Sequence, residues 1–359
     1  MGFRSVQLFN YRNLVDRRIE VNGREIFLVG ENGQGKTNFL ESVYLLCYGS
    51  SFRTRKDKEL IEIGEKSMSV RGTSVTDIEN DVQLKVEGGQ KQIIFNGKKI
   101  TDRKQLIQHL PCIIFSHDDI EFVSGPPERR RWFFNQTMSL YNPLFIDILR
   151  RYGKIIQMRN TSVREGREDL LEIYDDQAAA AGLDLQHRRA EAIALFNQTF
   201  NELFHAVSGL SGDISIRYSP SWGAIENADQ AVEILKSKRS ADFAFKTTTS
   251  GPHRDRIGFY LDGRDFSRIA STGQRRLMSL VLRVAQAKFY TTMSRRNPIL
   301  LLDDVLLELD AERRRKFIGE LPSYEQAFFT FLPDEQYDRY RTDNTVVYHV
   351  QEGTFEESS

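Results

Sequence analysis

The stretch Gly30-Glu31-Asn32-Gly33-Gln34-Gly35-Lys36-Thr37 decides the fold. It fits the pattern G-x-x-x-x-G-K-[ST] in full, the signature of a loop that wraps the phosphates of a nucleotide. The run Glu25-Ile26-Phe27-Leu28-Val29 before it reads as a short buried strand, and Asn38 to Leu46 after it as the start of an amphipathic helix. Strand, glycine-rich turn and helix are the setting such a loop requires. Gly30, Gly33 and Gly35 lack a Cβ, so the backbone there can enter left-handed conformations and turn its N–H groups inward round an anion. The helix N-terminus adds unpaired donors and the positive end of its dipole. Lys36 can set its ammonium between the β- and γ-phosphates, and the Thr37 hydroxyl stands where a Mg²⁺ ligand is needed. The candidate ATP-binding residues are therefore Gly30, Glu31, Asn32, Gly33, Gln34, Gly35, Lys36, Thr37 and Asn38, with ATP and Mg²⁺ as expected occupants. A glycine-rich turn without a ligand is the plain alternative, and the complete pattern with its flanks argues against it.

Length and charge narrow the rest. A chain of 359 residues holds one large or two ordinary domains. Fifty Lys and Arg balance fifty Asp and Glu, so no global field draws the chain to nucleic acid or anionic lipid, and any DNA binding must use a local patch. Cys47 and Cys112 both lie in apolar runs, which suits two buried thiols in a reducing compartment rather than a disulfide or a metal site. No apolar run approaches the ~18 residues of a membrane span. The expected location is the cytoplasm, with no membrane partner.

The segment 3–29 reads as β-rich, with a hairpin signal at Asn22-Gly23. Alternating runs at 68–75, 82–86 and 92–95 predict a second, antiparallel sheet, and Cys112-Ile113-Ile114-Phe115 another buried strand. From about 118 to 210 the texture turns helical, with an apolar stripe through Leu185, Ile193, Phe196, Phe200, Leu203, Phe204 and Val207 that Arg189 breaks. Strand-like sequence returns at Ile214–Tyr218. The expected division is a head of residues 1–116 and 212–359, split by a helical lobe at 117–211. Arg129-Arg130-Arg131 opens that lobe, either as a solvated face paired with Glu121 and Glu128 or as a set of DNA phosphate contacts. His253, in the turn Gly251-Pro252-His253-Arg254-Asp255, is as readily a turn-stabilising donor as a functional group.

A second informative region follows. Ser271-Thr272-Gly273-Gln274 precedes a helix and offers a hydroxyl, free N–H groups and a dipole end, a second anion site. The strand Ile299-Leu300-Leu301-Leu302 then ends in Asp303-Asp304. In phosphate-loop proteins such a strand is expected beside the loop, so that Asp303 holds Mg²⁺ through water and Asp304 orients and deprotonates an attacking water.

Order and spacing separate the phosphate-loop classes. A Ser-x-Gly-Gln helix start before the acidic strand, with Leu309-Asp310 after it, resembles the ATP-binding-cassette (ABC) class. The long insertion between Lys36 and Asp303 resembles the heads of the SMC and Rad50 group. Within that group the chain resembles the RecF family of bacterial recombination and repair proteins. The likeness spans essentially the whole chain and rests on Gly30 to Asn38, Ser51-Phe52-Arg53-Thr54, Phe115 to Arg131, Gly251 to Asp255, Ser271 to Arg276 and Leu301 to Asp310. It departs at Ser116-His117-Asp118-Asp119, where a Ser-Pro-Glu-Asp-like sequence is expected, and at Arg275, where a second Gln is common. No His follows Ala327–Phe331 to act as a switch, and no lid glutamine is assignable.

The resemblance implies an α/β fold, an ABC-type (SMC/Rad50 head-like) phosphate-loop ATPase domain with an inserted α-helical lobe. It implies a weak ATPase with Lys36 and Asp304 catalytic, and Thr37 and Asp303 on the Mg²⁺. Ser271, Gly273 and Gln274 would complete the ATP site of a second chain, beside a D-loop at Asp310. Two chains would then sandwich two ATP molecules as an ATP-dependent homodimer. That dimer would hold DNA, duplex or single-strand/duplex junctions, without regard to sequence. The implied role is repair, replication, recombination and the SOS response, helping to load the RecA recombinase at gaps with RecR and RecO as partners. Three rivals stand beside it. A transporter ATPase is disfavoured by the insertion and the missing switch His. A phosphate-loop kinase would not call for the Ser-x-Gly-Gln helix. A scaffold that binds ATP without hydrolysing it is disfavoured by Asp304.

Overall fold

The computed structural model describes residues 2–75 and 79–358, which fall into two compact units. One joins residues 1–118 with 286–359, and the other holds 119–285. The first unit begins with β1 (Phe3–Phe9), β2 (Arg18–Glu20) and β3 (Glu25–Val29), then the glycine-rich loop and α1 (Lys36–Tyr48). It continues through β4 (Ser67–Val75), β5 (Glu79–Glu87), β6 (Gln90–Phe95), β7 (Lys98–Ile100), α2 (Lys104–His109) and β8 (Cys112–Phe115). The second unit contributes α3 (Glu121–Ser124), α4 (Pro127–Tyr141), α5 (Leu144–Glu165), α6 (Glu168–Ser208), β9 (Ile214–Ser219), α7 (Ala228–Phe245), β10 (Arg256–Leu261), β11 (Arg264–Asp265) and α8 (Phe266–Ile269). Helix α9 (Thr272–Ser294) carries the chain back to the first unit for β12 (Ile299–Leu302), α10 (Ala311–Glu320), β13 (Gln326–Phe331), β14 (Thr345–Gln351) and β15 (Thr354–Glu357).

The first unit has two six-stranded sheets. The antiparallel one runs β2-β1-β4-β5-β6-β7. Its alternating strands put Met68, Val70, Val82, Leu84 and Val86 on one buried face. That face packs on α1: a Cβ at Gly72 would lie 2.5 Å from Leu46. The other sheet runs β15-β14-β3-β13-β12-β8, and all of its strands but the edge strand β15 are parallel. Every residue of β3, β13, β12 and β8 is buried, as expected where both faces are covered. The strand ending in Asp303-Asp304 is not paired with the strand of the phosphate loop, because β13 lies between them. All three are short apolar runs, and periodicity does not encode the order in which such runs pair. Cys47 and Cys112 are buried free thiols, as expected.

The second unit differs from the expected division. Residues 212–285, which the sequence assigned to the head, group with the helices. The reason is that β9 and β10 form a separate three-stranded sheet with β11, and β9 is tied to α6. Asn197 on α6 accepts from the Ile216 N–H at 2.9 Å and donates to its carbonyl at 2.7 Å. Arg189, which breaks the apolar stripe of α6, is buried because it donates to Asp255 at 2.9 Å and to the Pro252 carbonyl at 2.6 Å. Asp255 also takes the Tyr218 hydroxyl and the Ser221 N–H. His253 sits between the Tyr152 hydroxyl (2.8 Å) and the Thr248 carbonyl (3.0 Å), and burial pushes its pKa down to about 4. It is a packing group of this turn, neutral at physiological pH. Among the described residues no helix is long and apolar enough to cross a membrane.

Helices α5, α6 and α7 are joined by one fully buried guanidinium. Arg159 donates to Asp175 and to Asp242, each at 2.7 Å, and all three side chains are inaccessible to solvent. Removing one side of a buried ion pair strands the other without water. Arg159→Leu is therefore expected to cost about 3–5 kcal/mol in urea unfolding. Arg188→Leu, which breaks the exposed Arg188–Asp184 pair on α6, should cost less than about 1 kcal/mol.

Candidate nucleotide site

The phosphate loop leaves the C-terminal end of β3 and feeds α1, as its sequence required. Gly33 and Gly35 adopt φ of +81° and +114°, the left-handed region in which a Cβ would be strained. Gly30 does not; its small size serves close packing, since a Cβ there would sit 2.3 Å from the Val350 carbonyl oxygen. Lys36 is buried, and its ammonium folds across the loop to donate to the carbonyls of Gly30 (2.5 Å) and Glu31 (3.0 Å). Those neutral acceptors leave its charge available to an anion in the crook of the loop.

The acidic strand reaches the same place from two strands away. The Thr37 hydroxyl donates to Asp303 Oδ1 at 2.8 Å, so the first residues of α1 meet the end of β12. Burial, reinforced by the charge of neighbouring Asp304 and opposed by the Thr37 hydrogen bond, pushes the Asp303 pKa up to about 7. Asp304 adopts φ of +53° and is held by Thr330 of β13. Its N–H donates to Thr330 Oγ1 at 2.7 Å, and that hydroxyl donates to Asp304 Oδ1 at 2.7 Å. The inserted strand β13 thus supplies the residue that fixes the second carboxylate. A hydroxyl and a carboxylate oxygen 2.8 Å apart are hard donors, and they suit Mg²⁺.

Several residues of this site went unassigned in the sequence. Glu41, fully buried on α1, accepts from the Tyr11 hydroxyl (2.9 Å), from Arg12 through Nε and Nη2 (2.9 Å each), and from the Ser51 hydroxyl (2.5 Å). Its signal was a lone acid in an apolar helix, which demands a cation. Asn38, one of the expected ATP contacts, bonds to two further residues beside it: its amide donates to Asn13 Oδ1 (2.6 Å), and its Oδ1 accepts from Arg53 (2.6 Å). Arg53 lies close enough to Asp303 to stabilise its charge. An open cleft of ≈ 1180 Å³ is lined by Arg12, Asn13 and Asn38 and, further from the loop, by residues of both charges, Lys58, Lys66 and Glu62 among them.

The remaining candidates lie elsewhere. Ser271 and Gln274 form a capping box at the start of α9: the Ser271 N–H donates to Gln274 Oε1 (2.8 Å) and the Gln274 N–H to Ser271 Oγ (3.2 Å). Ser271, Thr272 and Gly273 are exposed, and a Cβ at Gly273 would meet nothing. Asp310 caps α10 by accepting from the Arg313 N–H at 2.9 Å. The arginine run is mostly spent inside its own unit. Arg130 donates to the carbonyls of Phe122, Val123, Gly125 and Ile257, and Arg131 to that of Asp255. Arg129, half-exposed, pairs with Glu121.

The raised pKa of Asp303 gives a signed expectation. Between the ordinary carboxylate range and about pH 7 the unfolded chain ionises this group while the folded chain keeps it protonated, so it lowers stability as pH rises through that window. Without metal or nucleotide, Asp303→Asn should match the wild type near pH 4 and exceed its stability by about 1 kcal/mol or more above pH 7, read by denaturant unfolding at each pH.

Comparison with known proteins agrees with this geometry. Residues 3–356 match the family model described as the RecF/RecN/SMC N terminal domain. The DNA replication and repair protein RecF of Treponema pallidum is 43% identical over 350 residues, covering 97% of this chain and 99% of that protein. RecF of Heliobacterium modesticaldum is 29% identical over the full length of both. A solved structure described as the recombination mediator protein RecF-ATP in the RecFOR pathway superposes with a TM-score of 0.90 at 26% identity, covering 100% of this chain and 98% of that one. An SMC head domain shares the fold at a TM-score of 0.59 and 15% identity. With a complete phosphate loop and a paired-carboxylate strand in an SMC-type head, the chain belongs to the RecF family of ATP-binding DNA replication and repair proteins.

Proposed function

We propose that this chain is an ATP-gated DNA-binding protein of recombinational repair and replication, which hydrolyses ATP slowly. The observation that carries the reading is the convergence of Thr37, Asp303, Asp304 and Thr330 at the mouth of the phosphate loop. A scaffold that only binds ATP has no need of a second carboxylate held in place. Thr37 and Asp303 would hold Mg²⁺, which neutralises phosphate charge. Gly33 to Thr37 present backbone donors to the phosphates, and Lys36 adds a point charge. Asp304, its Oδ1 oriented by Thr330, aligns the attacking water and takes its proton.

Ser271, Thr272 and Gly273 are exposed at the start of α9. In this reading Ser271, Gly273 and Gln274 close on the ATP of a second copy, with Asp310 as the D-loop, so that two copies sandwich two nucleotides. ATP favours the dimer because only the dimer supplies both sets of donors, and hydrolysis removes that difference. DNA then binds through backbone phosphates, without regard to sequence. Arg129 is the one member of the arginine run left at the surface for this task, and its carboxylate partner Glu121 makes it a minor contributor. The relatives described as RecF support a role in DNA replication and repair, and the RecFOR setting of the RecF-ATP structure supports a recombination role. In this reading the chain acts in the cytoplasm at gapped DNA, with RecO and RecR, and helps to load RecA.

Asp304→Asn is expected to lower ATP turnover by about 10²-fold or more while ATP affinity stays within about threefold, measured by phosphate release and nucleotide titration. Ser271→Arg should bind ATP as a monomer but fail to dimerise with ATP in sedimentation; dimers of wild-type strength would refute the role in trans. Binding to a gapped duplex should be tight with ATP·Mg²⁺, weak with ADP or no nucleotide, lost in Lys36→Ala, and fall steeply with salt. Binding that ignores nucleotide would refute the gating.

A further inference from the structure

A loop that turns its N–H groups toward an anion turns its carbonyls outward, and outward carbonyls packed against protein need donors. Most of those donors are local here. Lys36 serves Gly30 and Glu31, the Asn13 amide serves Gly33 at 3.3 Å, and the Phe39 N–H of α1 serves Gly35 at 2.9 Å. Gln34 is the exception. Its carbonyl accepts from the Gly353 N–H at 3.0 Å, and its side-chain Oε1 accepts from the Glu352 N–H at 2.6 Å. Both donors come from the turn between β14 and β15, over 300 residues away in the chain.

That turn is strained and tightly seated. Its two residues, Glu352 and Gly353, have φ of +48° and +76°, a conformation unfavourable for glutamate. A Cβ at Gly353 would lie 2.1 Å from the Asn13 carbonyl oxygen and 3.0 Å from Leu14 Cα. The Gly353 carbonyl accepts from the Val15 N–H at 3.1 Å. The hairpin is therefore wedged between the phosphate loop and the 13–15 segment, with two consecutive N–H groups aimed at one residue of the loop.

We propose that this C-terminal hairpin is a positioning element of the nucleotide site, acting through the Gln34–Gly35 peptide. In a planar trans peptide the C=O and N–H point opposite ways. Holding the Gln34 carbonyl outward on Gly353 holds the Gly35 N–H inward, toward bound phosphate. Glu352 acts through its backbone and not its carboxylate, and Gly353 is glycine because no side chain fits against Asn13. The inference rests on the reading of the loop as an ATP site.

The test titrates a fluorescent ATP analogue against the full chain with Mg²⁺, and follows turnover, at a temperature where circular dichroism shows every variant folded. Gly353→Ala, which must shift the turn, is expected to raise the analogue's Kd and the KM for ATP about tenfold, the size of one lost charge-assisted hydrogen bond, with kcat within about twofold. Gln34→Ala, which loses only the side-chain acceptor, should raise Kd about threefold. Glu352→Gly keeps the N–H and relaxes the turn, so its Kd should stay within about twofold of the wild type. Wild-type Kd in both Gly353→Ala and Gln34→Ala would overturn the proposal. So would a Glu352→Gly variant as weak as Gly353→Ala, since the carboxylate would then be the working group. Lys36→Ala separates the two levels: if it abolishes binding while Gly353→Ala does not affect it, only the hairpin's role fails. If Lys36→Ala binds normally, the ATP reading fails and the hairpin's role with it.

Discussion

The structure depends on one constraint: a backbone loop that gathers its N–H groups round a phosphate must dispose of its carbonyls. Each carbonyl so exposed needs a donor, and those round residues 30–37 come from the loop itself, the helix that follows it and two turns brought in from elsewhere in the chain. Lys36 covers the first two, the helix it opens covers Gly35, and the turn at Asn13 covers Gly33. The strand order serves the same site. Placing β14 on one side of β3 and β13 on the other brings the 350–353 turn against the loop, and Thr330 against the acidic pair. The site is a product of the sheet rather than an addition to it.

Charge burial is the second theme, and both units use it in the same way. Glu41 near the loop and Arg159, Arg189 and Arg283 in the helical unit are buried charges, each met by an oppositely charged group in bidentate or paired geometry. Arg283 also lies over the Phe122 and Phe133 rings, at 4.7 and 5.9 Å. Such pairs add little net stability over an apolar core, but separating one leaves a buried charge uncompensated, so each ties the elements it joins. The Arg159 cluster sets α5, α6 and α7, and the Arg189–Asp255 pair sets the 251–255 turn against α6. The arginine that interrupts the stripe on α6 is the group that makes this second tie.

How much was legible beforehand follows from the range of each signal. The phosphate loop, its strand and helix, the capping box at Ser271 and the paired carboxylates after β12 are all local patterns, and the structure forms each where the residues placed it. The run Arg129–Arg131 was ambiguous because charge in a sequence does not say whether carbonyls will be near. In the fold the C-terminal carbonyls of α3 and the backbone of β10 capture Arg130, a contact no spacing rule announces. The boundary at 212 was misplaced for a related reason. Strand-like sequence there suggested a return to the head, while the strand pairs with β10 inside the helical unit.

By itself the sequence determined the class of fold, the glycine-rich loop and the candidate residues for a nucleotide, because these depend on backbone freedom, donor chemistry and spacing over a few residues. Only the tertiary structure decided that β13 separates the loop strand from the acidic strand, that Thr330 fixes Asp304, that Arg12 neutralises Glu41, and that the last hairpin of the chain braces Gln34. Each of these joins residues far apart in the chain whose individual types are ordinary. Their meaning arises when burial leaves a charge or a carbonyl without water, and the nearest donor in space, not in sequence, has to answer for it.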